Sequence, residues 1–397
     1  MISLDNTTII FGAIVLLLAL ITPWINIFVR RPRVEGNELQ GDENSEAGDE
    51  TEEGNGARET LPPISIIITP HENARELEEN LPLFLEQDYP SDFKVIVVAW
   101  KSDSDDEDVL KRYSSNPHLY TTYIPDSSRY MSRKKLAITL GVKAAKTEWL
   151  IMTDITSRPD SDQWLRTMAE KCTDGNNIVI GYTRYEDSTS DYRRFERMVE
   201  DFYLMRETKK GKTYRCDSKC LAFRKSDFIK GEGFRGNLKY LRGEYDFMAN
   251  KYATPMSAAL VTDPNAWMTD EEPTNKQWRN RRLFYIEDRK HLDRSARHRL
   301  PVITDQIALH INWLTIIAAA VVAGMTGRWI LMAAAGLALM LTIVLRSVIA
   351  SKAYNEWGAD IPSWKTVFYE IGLVWHRILY NIRYARTDKN DFISHKI

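Results

Sequence analysis

Apolar residues gather in three long runs near the two ends of the chain. They cover Thr8 to Val29, Ile307 to Met325 and Trp329 to Ala350. Because about 20 apolar residues suffice to cross the hydrocarbon core of a bilayer, each run predicts a membrane span. Only three residues separate the last two runs, which predicts a tight hairpin. The alternatives are a cleaved leader for the first run and a buried helix pair of a soluble protein for the other two.

Short apolar runs between the spans predict strands, and segments with helical spacing alternate with them. The predicted strands cover residues 64–68, 93–98, 119–124, 149–153, 178–182 and 220–223, and the predicted helices cover 73–86, 103–113, 132–146 and 192–206. Strands that alternate with helices indicate right-handed βαβ units. The middle of the chain is therefore predicted to be an α/β domain built on a parallel sheet.

Basic residues next to the three runs predict their orientation. The clusters are Arg30, Arg31 and Arg33 after the first run, Arg294, Arg297 and Arg299 before the second, and Arg346 and Lys352 at the end of the third. By the positive-inside rule all three clusters face the cytosol, which places residues 30–306 there. Arg346 lies inside its run, and we expect its side chain to snorkel to the interface.

Charge also separates the remaining parts of the chain. Residues 35–53 hold nine acidic residues and no Lys or Arg, which predicts a disordered linker, with an acidic docking segment as the alternative. Helices rich in basic and aromatic residues are predicted at 276–293 and 364–383, on the membrane surface. The predicted parts are an anchor (1–33), a linker (34–61), a cytosolic domain (62–275), a basic interfacial helix (276–306), a transmembrane hairpin (307–350) and an interfacial C-terminal segment (351–397).

Overall composition excludes some classes of partner. The net charge of −2 over 397 residues gives no general reason to bind polyanions, so no nucleic-acid partner is predicted. The three cysteines, Cys172, Cys216 and Cys220, are too few for a disulfide framework, and they lack zinc spacing. We expect free thiols in a reducing compartment, and nothing in the sequence defines a protein partner.

Three segments carry the candidate chemistry. They are Ala145-x-Thr147-Glu148-Trp149-Leu150 followed by Asp154, Pro159 and Trp164-Leu165; Gly243-Glu244-Tyr245-Asp246-Phe247; and Glu287-Asp288-Arg289-Lys290-His291-Leu292. In this order, over residues 64–292, they resemble the family 2 glycosyltransferases of the membrane-anchored bacterial type. The chain departs from the family pattern where Thr156 replaces the second Asp of Asp-x-Asp and where Ala99-Trp100 replaces Asp-Asp.

The resemblance implies a GT-A fold with a mixed, mainly parallel sheet, and inverting transfer from a nucleotide-sugar. It places Asp246 on the base that deprotonates the acceptor hydroxyl, with Glu244 as the fallback. Asp154 would hold Mg²⁺ or Mn²⁺, or the donor ribose, and Thr156 would add a hydroxyl. The alternatives are a turn cap for Asp154 and surface carboxylates for the other two.

Further donor contacts are implied at other strand and helix ends. Glu72 follows the first strand, and Trp100 follows the second, where it would stack on a base or fill the core. Lys134 would contact phosphate or belong to a solvated turn. Lys290 and His291 would hold the diphosphate and line the acceptor site, or contact lipid headgroups.

These observations predict a multi-pass protein of the bacterial inner membrane with a cytosolic catalytic domain. It would move a sugar to a lipid-linked or glycan acceptor at the bilayer surface, for a cell-envelope polysaccharide. The altered acidic motifs leave one alternative of another class, a catalytically inactive relative that binds or scaffolds within a glycan assembly complex. A further alternative is sugar transfer without a metal, with cationic residues in place of the ion.

Overall fold

The computed structural model describes residues 5–35, 61–124, 132–293, 298 and 300–393. The chain folds into two compact units. The helical unit comprises Met1–Pro32, Glu186–Glu207 and Glu272–Asp388, and the sheet unit comprises Arg33–Tyr185, Thr208–Glu271 and Lys389–Ile397. Most of the predicted linker, and the predicted basic cluster at 294, 297 and 299, lie outside the described residues.

Within the residues that the structure describes, the sheet unit contains ten strands in two sheets. They are β1 (Ile64–Ile68), β2 (Phe93–Trp100), β3 (Leu119–Ile124), β4 (Trp149–Thr153), β5 (Ser157–Pro159), β6 (Ile178–Ile180), β7 (Thr183–Tyr185), β8 (Cys220–Arg224), β9 (Ala258–Leu260) and β10 (Met268–Asp270). The main sheet has the order β3-β2-β1-β4-β8-β6-β9, and the small sheet has the order β5-β10-β7. In the main sheet β8 is antiparallel to both of its neighbours, and the other pairs are parallel.

Twelve α-helices are found among the described residues. They are α1 (Asn6–Ile21), α2 (Ala74–Leu85), α3 (Ser104–Arg112), α4 (Arg133–Ala144), α5 (Trp164–Ala169), α6 (Asp191–Lys209), α7 (Lys225–Lys230), α8 (Glu244–Tyr252), α9 (Asn275–Asp288), α10 (Leu300–Thr326), α11 (Trp329–Glu356) and α12 (Thr366–Arg386). Every predicted strand and helix of the middle region is present, with ends shifted by a few residues. The three-residue strands of the small sheet escaped prediction because so short a run carries no readable periodicity.

The core of the sheet unit explains why its strands read as continuous apolar runs. All five residues of β1 are buried, as are all five of β4, because helices cover both faces of a parallel sheet. On one face Leu77, Leu81 and Phe84 of α2 join this core. Asn80 of α2 donates to the carbonyl of Ile155 at 2.8 Å, which ties the helix to the turn after β4.

A buried carboxyl group at the start of α3 makes the stability of the sheet unit depend on pH. Asp106 is fully buried and accepts a hydrogen bond from the Asn73 backbone N–H at 3.0 Å. Burial raises the pKa of Asp106 from 3.8 to about 6, the Asn73 bond opposes the rise, and Asp103 adds to it. The folded state therefore holds this proton more tightly than the unfolded state, and stability falls as pH rises from about 4 to about 6.

Substitution of Asp106→Asn should remove this penalty. We expect the variant to be more stable than the wild type above pH 6, with the difference in unfolding free energy growing by about 1 kcal/mol between pH 5 and pH 7. Denaturant unfolding in detergent across this range measures the difference. The matched control is Asp105→Asn, an exposed residue of the same helix. Parallel pH curves for the Asp106 variant and the wild type would contradict the assignment.

In the described part of the chain, three helices are long and apolar enough to cross a membrane. The candidate spans are Asn6–Ile25, Leu300–Thr326 and Trp329–Glu356. The first apolar run is helical only to Ile21 and continues in 3₁₀ turns from Thr22, where Pro23 sits in the first turn. Within the helical unit α1, α10 and α11 meet through small side chains. This contact includes Ala19, Ala319, Ala323, Ala335 and Ala338.

The prediction that Arg346 snorkels to the interface is wrong. Its side chain is fully buried, and Nη1 donates to Glu370 Oε2 at 2.7 Å while Nη2 lies 3.6 Å from Asp305 Oδ1. Asn26 donates to the other oxygen of Glu370, and Tyr203 donates to Asp305 at 3.3 Å. Two acids that are distant in the sequence compensate the charge of the buried guanidinium, so its burial does not require contact with water.

Candidate active site

Strand order brings a cation to the carboxyl edge of the main sheet. Asp154 directly follows β4, and Lys219 directly precedes β8. Because β8 runs antiparallel to β4, with Thr153 opposite Cys220, the beginning of β8 lies beside the end of β4. Lys219 thus stands next to Asp154 at the edge where ligands of open α/β sheets bind.

Asp154 is the centre of a charged cluster. Lys134, in the first turn of α4, donates to Asp154 Oδ1 at 2.6 Å, and Lys219 Nζ lies 3.8 Å from Oδ2. The Tyr245 hydroxyl, from α8, also donates to Oδ1 at 3.1 Å. Burial opposes ionisation of Asp154, but Lys134 and Lys219 outweigh it and lower its pKa to about 2. The carboxylate is therefore charged across the whole physiological pH range.

Lys219 also contacts the side-chain oxygens of Thr156 and Asp270, of which only Thr156 was a candidate from the sequence. Its Nζ donates to Thr156 Oγ1 at 3.1 Å and to Asp270 Oδ1 at 2.8 Å. Asp270 ends β10, is buried, and accepts a further bond from Ser157 at 2.9 Å. We call Asp154 Oδ2, Thr156 Oγ1 and Asp270 Oδ1 the oxygen triad. In the sequence, Lys219 is a basic residue directly before a buried strand. Its position in the site follows only from the strand order, which pairs β8 with β4.

The oxygen triad fits a divalent ion poorly. Asp154 contacts two ammonium groups, and Asp270 contacts one of them, so the charge of both carboxylates is already compensated. Among the residues that the structure describes, the group of three acidic or His side chains close enough to share a metal is His71, Glu72 and Asp103, which is largely exposed. Its members bond to one another, with His71 Nδ1 2.8 Å from Asp103 Oδ2.

The second acidic motif lies at the start of α8. Gly243 adopts a left-handed conformation (φ 88°) directly before the helix, which glycine tolerates without strain. Asp246 is buried and accepts from Arg215 Nε at 3.1 Å on both of its oxygens, and Arg215 also pairs with Asp217 at 3.0 Å. Glu244 is buried too, yet its Oε1 has no hydrogen-bond partner in the described part of the chain.

The two candidate bases therefore differ in environment. Both oxygens of Asp246 accept a hydrogen bond from the adjacent Arg215 guanidinium, which fixes this carboxylate in place. Among the described residues no donor reaches the buried Oε1 of Glu244, and such a group in a native structure calls for an explanation. Burial lowers the pKa of Lys134, but the charge of Asp154 and, after it, the charge of Glu244 outweigh burial and raise that pKa. Glu244 therefore acts on the cluster at Asp154.

The candidate nucleobase contacts lie at the ends of β1 and β2. Trp100 stacks with the ring of His71 at an interplanar angle of 20°, and the Arg133 guanidinium lies 4.7 Å from the centre of its ring. Trp100 is therefore not a core residue. Glu72 is exposed, has a positive φ of 55°, and donates its backbone N–H to Asp103 at 3.1 Å. His71 and Arg133 thus occupy the Trp100 ring on which a nucleobase was predicted to stack.

Lys290 and His291 follow α9 in the helical unit. Lys290 donates to the Tyr384 hydroxyl and lies 3.5 Å from Glu287, and His291 Nε2 lies 3.2 Å from the same carboxylate. Glu287 thus contacts both Lys290 and His291. Their proposed diphosphate and acceptor roles stay predictions.

Comparisons with known proteins define the class. Residues 65–230 match the family model of glycosyl transferase family 2. This segment is a family 2 glycosyltransferase domain, as the motifs predicted. The match supports glycosyl transfer as the activity. A comparison with curated protein sequences gives no match.

Solved structures support the fold. The chain is similar to the mannosyltransferase PcManGT from Pyrobaculum calidifontis, in complex with GDP-Man and Mn²⁺, with 18% identity, a TM-score of 0.51, and coverage of 94% of this chain and 97% of that one. GalNAc-T7 with UDP, GalNAc and Mn²⁺ gives 13% identity and a TM-score of 0.39 over 55% of this chain and 45% of that one, which is too low to carry an argument. At such identity the first match shows the fold alone, and it confirms the predicted GT-A fold.

Proposed function

We propose that the protein is a membrane-bound inverting glycosyltransferase that moves a sugar from a nucleotide-sugar to a lipid-linked or glycan acceptor. The observation that carries this proposal is the cluster of Lys134, Asp154 and Lys219 at the carboxyl edge of the sheet, within a family 2 domain. Two ammonium groups side by side are suited to a diphosphate, and a fixed carboxylate between them holds both in position.

In the proposed reaction each group at this edge has a separate task. Lys134 and Lys219 contact the donor diphosphate, and Asp154 orients them or meets the donor ribose. Glu244 accepts the proton of the acceptor hydroxyl while the oxygen of that hydroxyl bonds to the anomeric carbon. The bond from that carbon to the diphosphate breaks on the opposite face, and the diphosphate leaves with the electron pair. Asp246 fixes the first turn of α8 through Arg215.

The metal and the donor base remain predictions. PcManGT is described with GDP-Man and Mn²⁺, which makes a guanosine or related nucleotide and a divalent ion reasonable probes for this chain. When bound, Mg²⁺ or Mn²⁺ would neutralise charge on the diphosphate. None of the roles assigned above to the protein's own residues depends on the ion.

The proposed setting is the bacterial inner membrane with the sheet unit in the cytosol, where nucleotide-sugars are made. Three helices with the required length and apolarity support membrane association. The exposed aromatic side chains Trp364, Phe368 and Trp375 around and along α12 suit a position at the headgroup level. An acceptor carried by a lipid, for a cell-envelope polysaccharide, would meet the protein there.

Substitution of Asp154→Asn tests the proposal. The amide loses the charge that holds both lysines, so we expect sugar transfer to fall about 100-fold, as for other small misplacements of reacting groups. Transfer from UDP- and GDP-sugars to membrane extracts measures the loss. The control is Asp108→Asn, an exposed residue of α3, which should leave transfer unchanged. Absence of both transfer and nucleotide binding in the wild type would instead favour the inactive scaffold.

A further inference from the structure

The ammonium group of Lys219 occupies a position lined by hard oxygen ligands. Its Nζ lies 2.8 Å from Asp270 Oδ1, 3.1 Å from Thr156 Oγ1 and 3.8 Å from Asp154 Oδ2. Two carboxylates and a hydroxyl around one point are the kind of donors that Mg²⁺ and Mn²⁺ take. In this chain the protein's own cation lies among them.

Hydrogen-bond capacity shows what this ammonium group still offers. A lysine has three N–H donors. Thr156 and Asp270 take two of them, whereas the contact with Asp154, at 3.8 Å, is longer than a hydrogen bond. Among the described residues, the third N–H donor of Lys219 is thus left without a short hydrogen bond, and we expect it to meet a phosphate oxygen of the nucleotide-sugar beside Asp154.

The charge balance points the same way. Lys134 contacts Asp154 Oδ1 at 2.6 Å, and Lys219 approaches Oδ2. Together the two ammonium groups carry the charge of one divalent ion. They also compensate Asp154 and Asp270, so a metal entering the oxygen triad would first have to displace Lys219.

We propose that Lys219, together with Lys134, takes the place of the divalent cation, so that nucleotide binding and sugar transfer by this chain need no metal. The inference rests on the proposed function and names the group that stabilises its leaving diphosphate. As the bond between the anomeric carbon and the diphosphate breaks, its electron pair stays on the phosphate oxygen, and Lys219 donates a hydrogen bond to the growing charge. Both lysines keep their protons throughout.

Binding of UDP and GDP by the full-length protein in detergent tests the inference. We expect calorimetric titration to give the same affinity, within about threefold, in EDTA and in Mn²⁺. Lys219→Met should weaken binding in EDTA about 10-fold, the loss expected for one hydrogen bond to a charged group. Lys219→Arg should retain most of the affinity, and Lys143→Met, an exposed residue of α4, should retain all of it. Far-UV circular dichroism and thermal unfolding confirm that each variant is folded.

A second variant tests the oxygen triad itself. Lys219→Ala combined with Thr156→Asp removes the ammonium group and adds a carboxylate, so we expect this variant to bind Mn²⁺, seen by loss of the free-ion EPR signal, where the wild type does not. Nucleotide binding by the double variant should then require Mn²⁺.

The outcomes separate the two claims. Nucleotide binding that occurs in Mn²⁺ but not in EDTA, with bound Mn²⁺ in the wild type, overturns the metal-free inference and leaves the proposed function standing. Unchanged binding by a folded Lys219→Met variant overturns the role of Lys219. If neither UDP nor GDP binds under any condition, the proposed function fails, and the inference fails with it.

Discussion

Replacement of Glu244 by glutamine is expected to lower kcat by about 10²–10⁴-fold, the usual contribution of a general base, and to leave the affinity for nucleotide nearly unchanged. Glutamine keeps the size of the side chain but cannot accept the proton of the acceptor hydroxyl. The buried Oε1 of Glu244, which has no hydrogen-bond partner in the part of the chain that the structure describes, is the oxygen that this proton would reach. Steady-state kinetics together with equilibrium nucleotide binding separates the two quantities.

Asp246→Asn is the matched comparison, because it changes the other carboxylate of the same helical turn. Here we expect a loss of stability of about 1–3 kcal/mol, since the variant leaves Arg215 buried with one fewer acidic partner. The chemical step in the folded variant should be affected less than in Glu244→Gln. The reverse result, a folded Asp246→Asn with kcat down by orders of magnitude beside an active Glu244→Gln, would assign the base to Asp246.

Arg346→Met is expected to cost about 3–5 kcal/mol of stability, the range measured when one partner of a buried ion pair is removed. Without the guanidinium, the buried side chains of Glu370 and Asp305 lose the cation that they share. Thermal unfolding in detergent micelles, followed by circular dichroism, measures the loss. Arg346→Lys keeps the charge and should lose less.

A charge-neutral combination controls for the change in side-chain volume. Arg346→Met with Glu370→Gln and Asp305→Asn removes the whole ionic group, so it should recover part of the stability lost by Arg346→Met alone. If Arg346→Met unfolds at the wild-type temperature, the buried ion pair does not contribute to the stability of the helical unit. If the triple variant is as unstable as the single one, the loss comes from packing rather than charge.

The sequence was most informative where a short segment shows both its own secondary structure and its place at the site. β1 and β4 are five-residue apolar runs, and burial on both faces makes such runs easy to recognise. Asp154 could be singled out because it directly follows β4, and ligands gather at that edge of the sheet. The family motifs then singled out the segments that begin at Gly243 and Glu287.

Residues that act through distant partners could not be found in this way. Lys219 matters because β8 inserts antiparallel beside β4, and Asp270 because a three-residue strand ends next to Thr156. Both positions depend on strand pairing, which sequence spacing does not encode. Arg215 and Asp246 are likewise joined only by the fold. The burial of Arg346 was not predicted because the two acids that contact it, Asp305 and Glu370, lie far from it in the sequence.

The path of the chain through the helical unit limits how the protein can be dissected. Phe195 and Phe202 of α6 pack against Phe28, with ring centres 6.1 and 5.9 Å apart, and Arg282 of α9 pairs with Glu196 and Glu200 of α6. A soluble fragment cut at residues 62 and 275 would carry α6 away from these partners and expose its aromatic side. Expression of an isolated catalytic domain therefore calls for redesign of this helix.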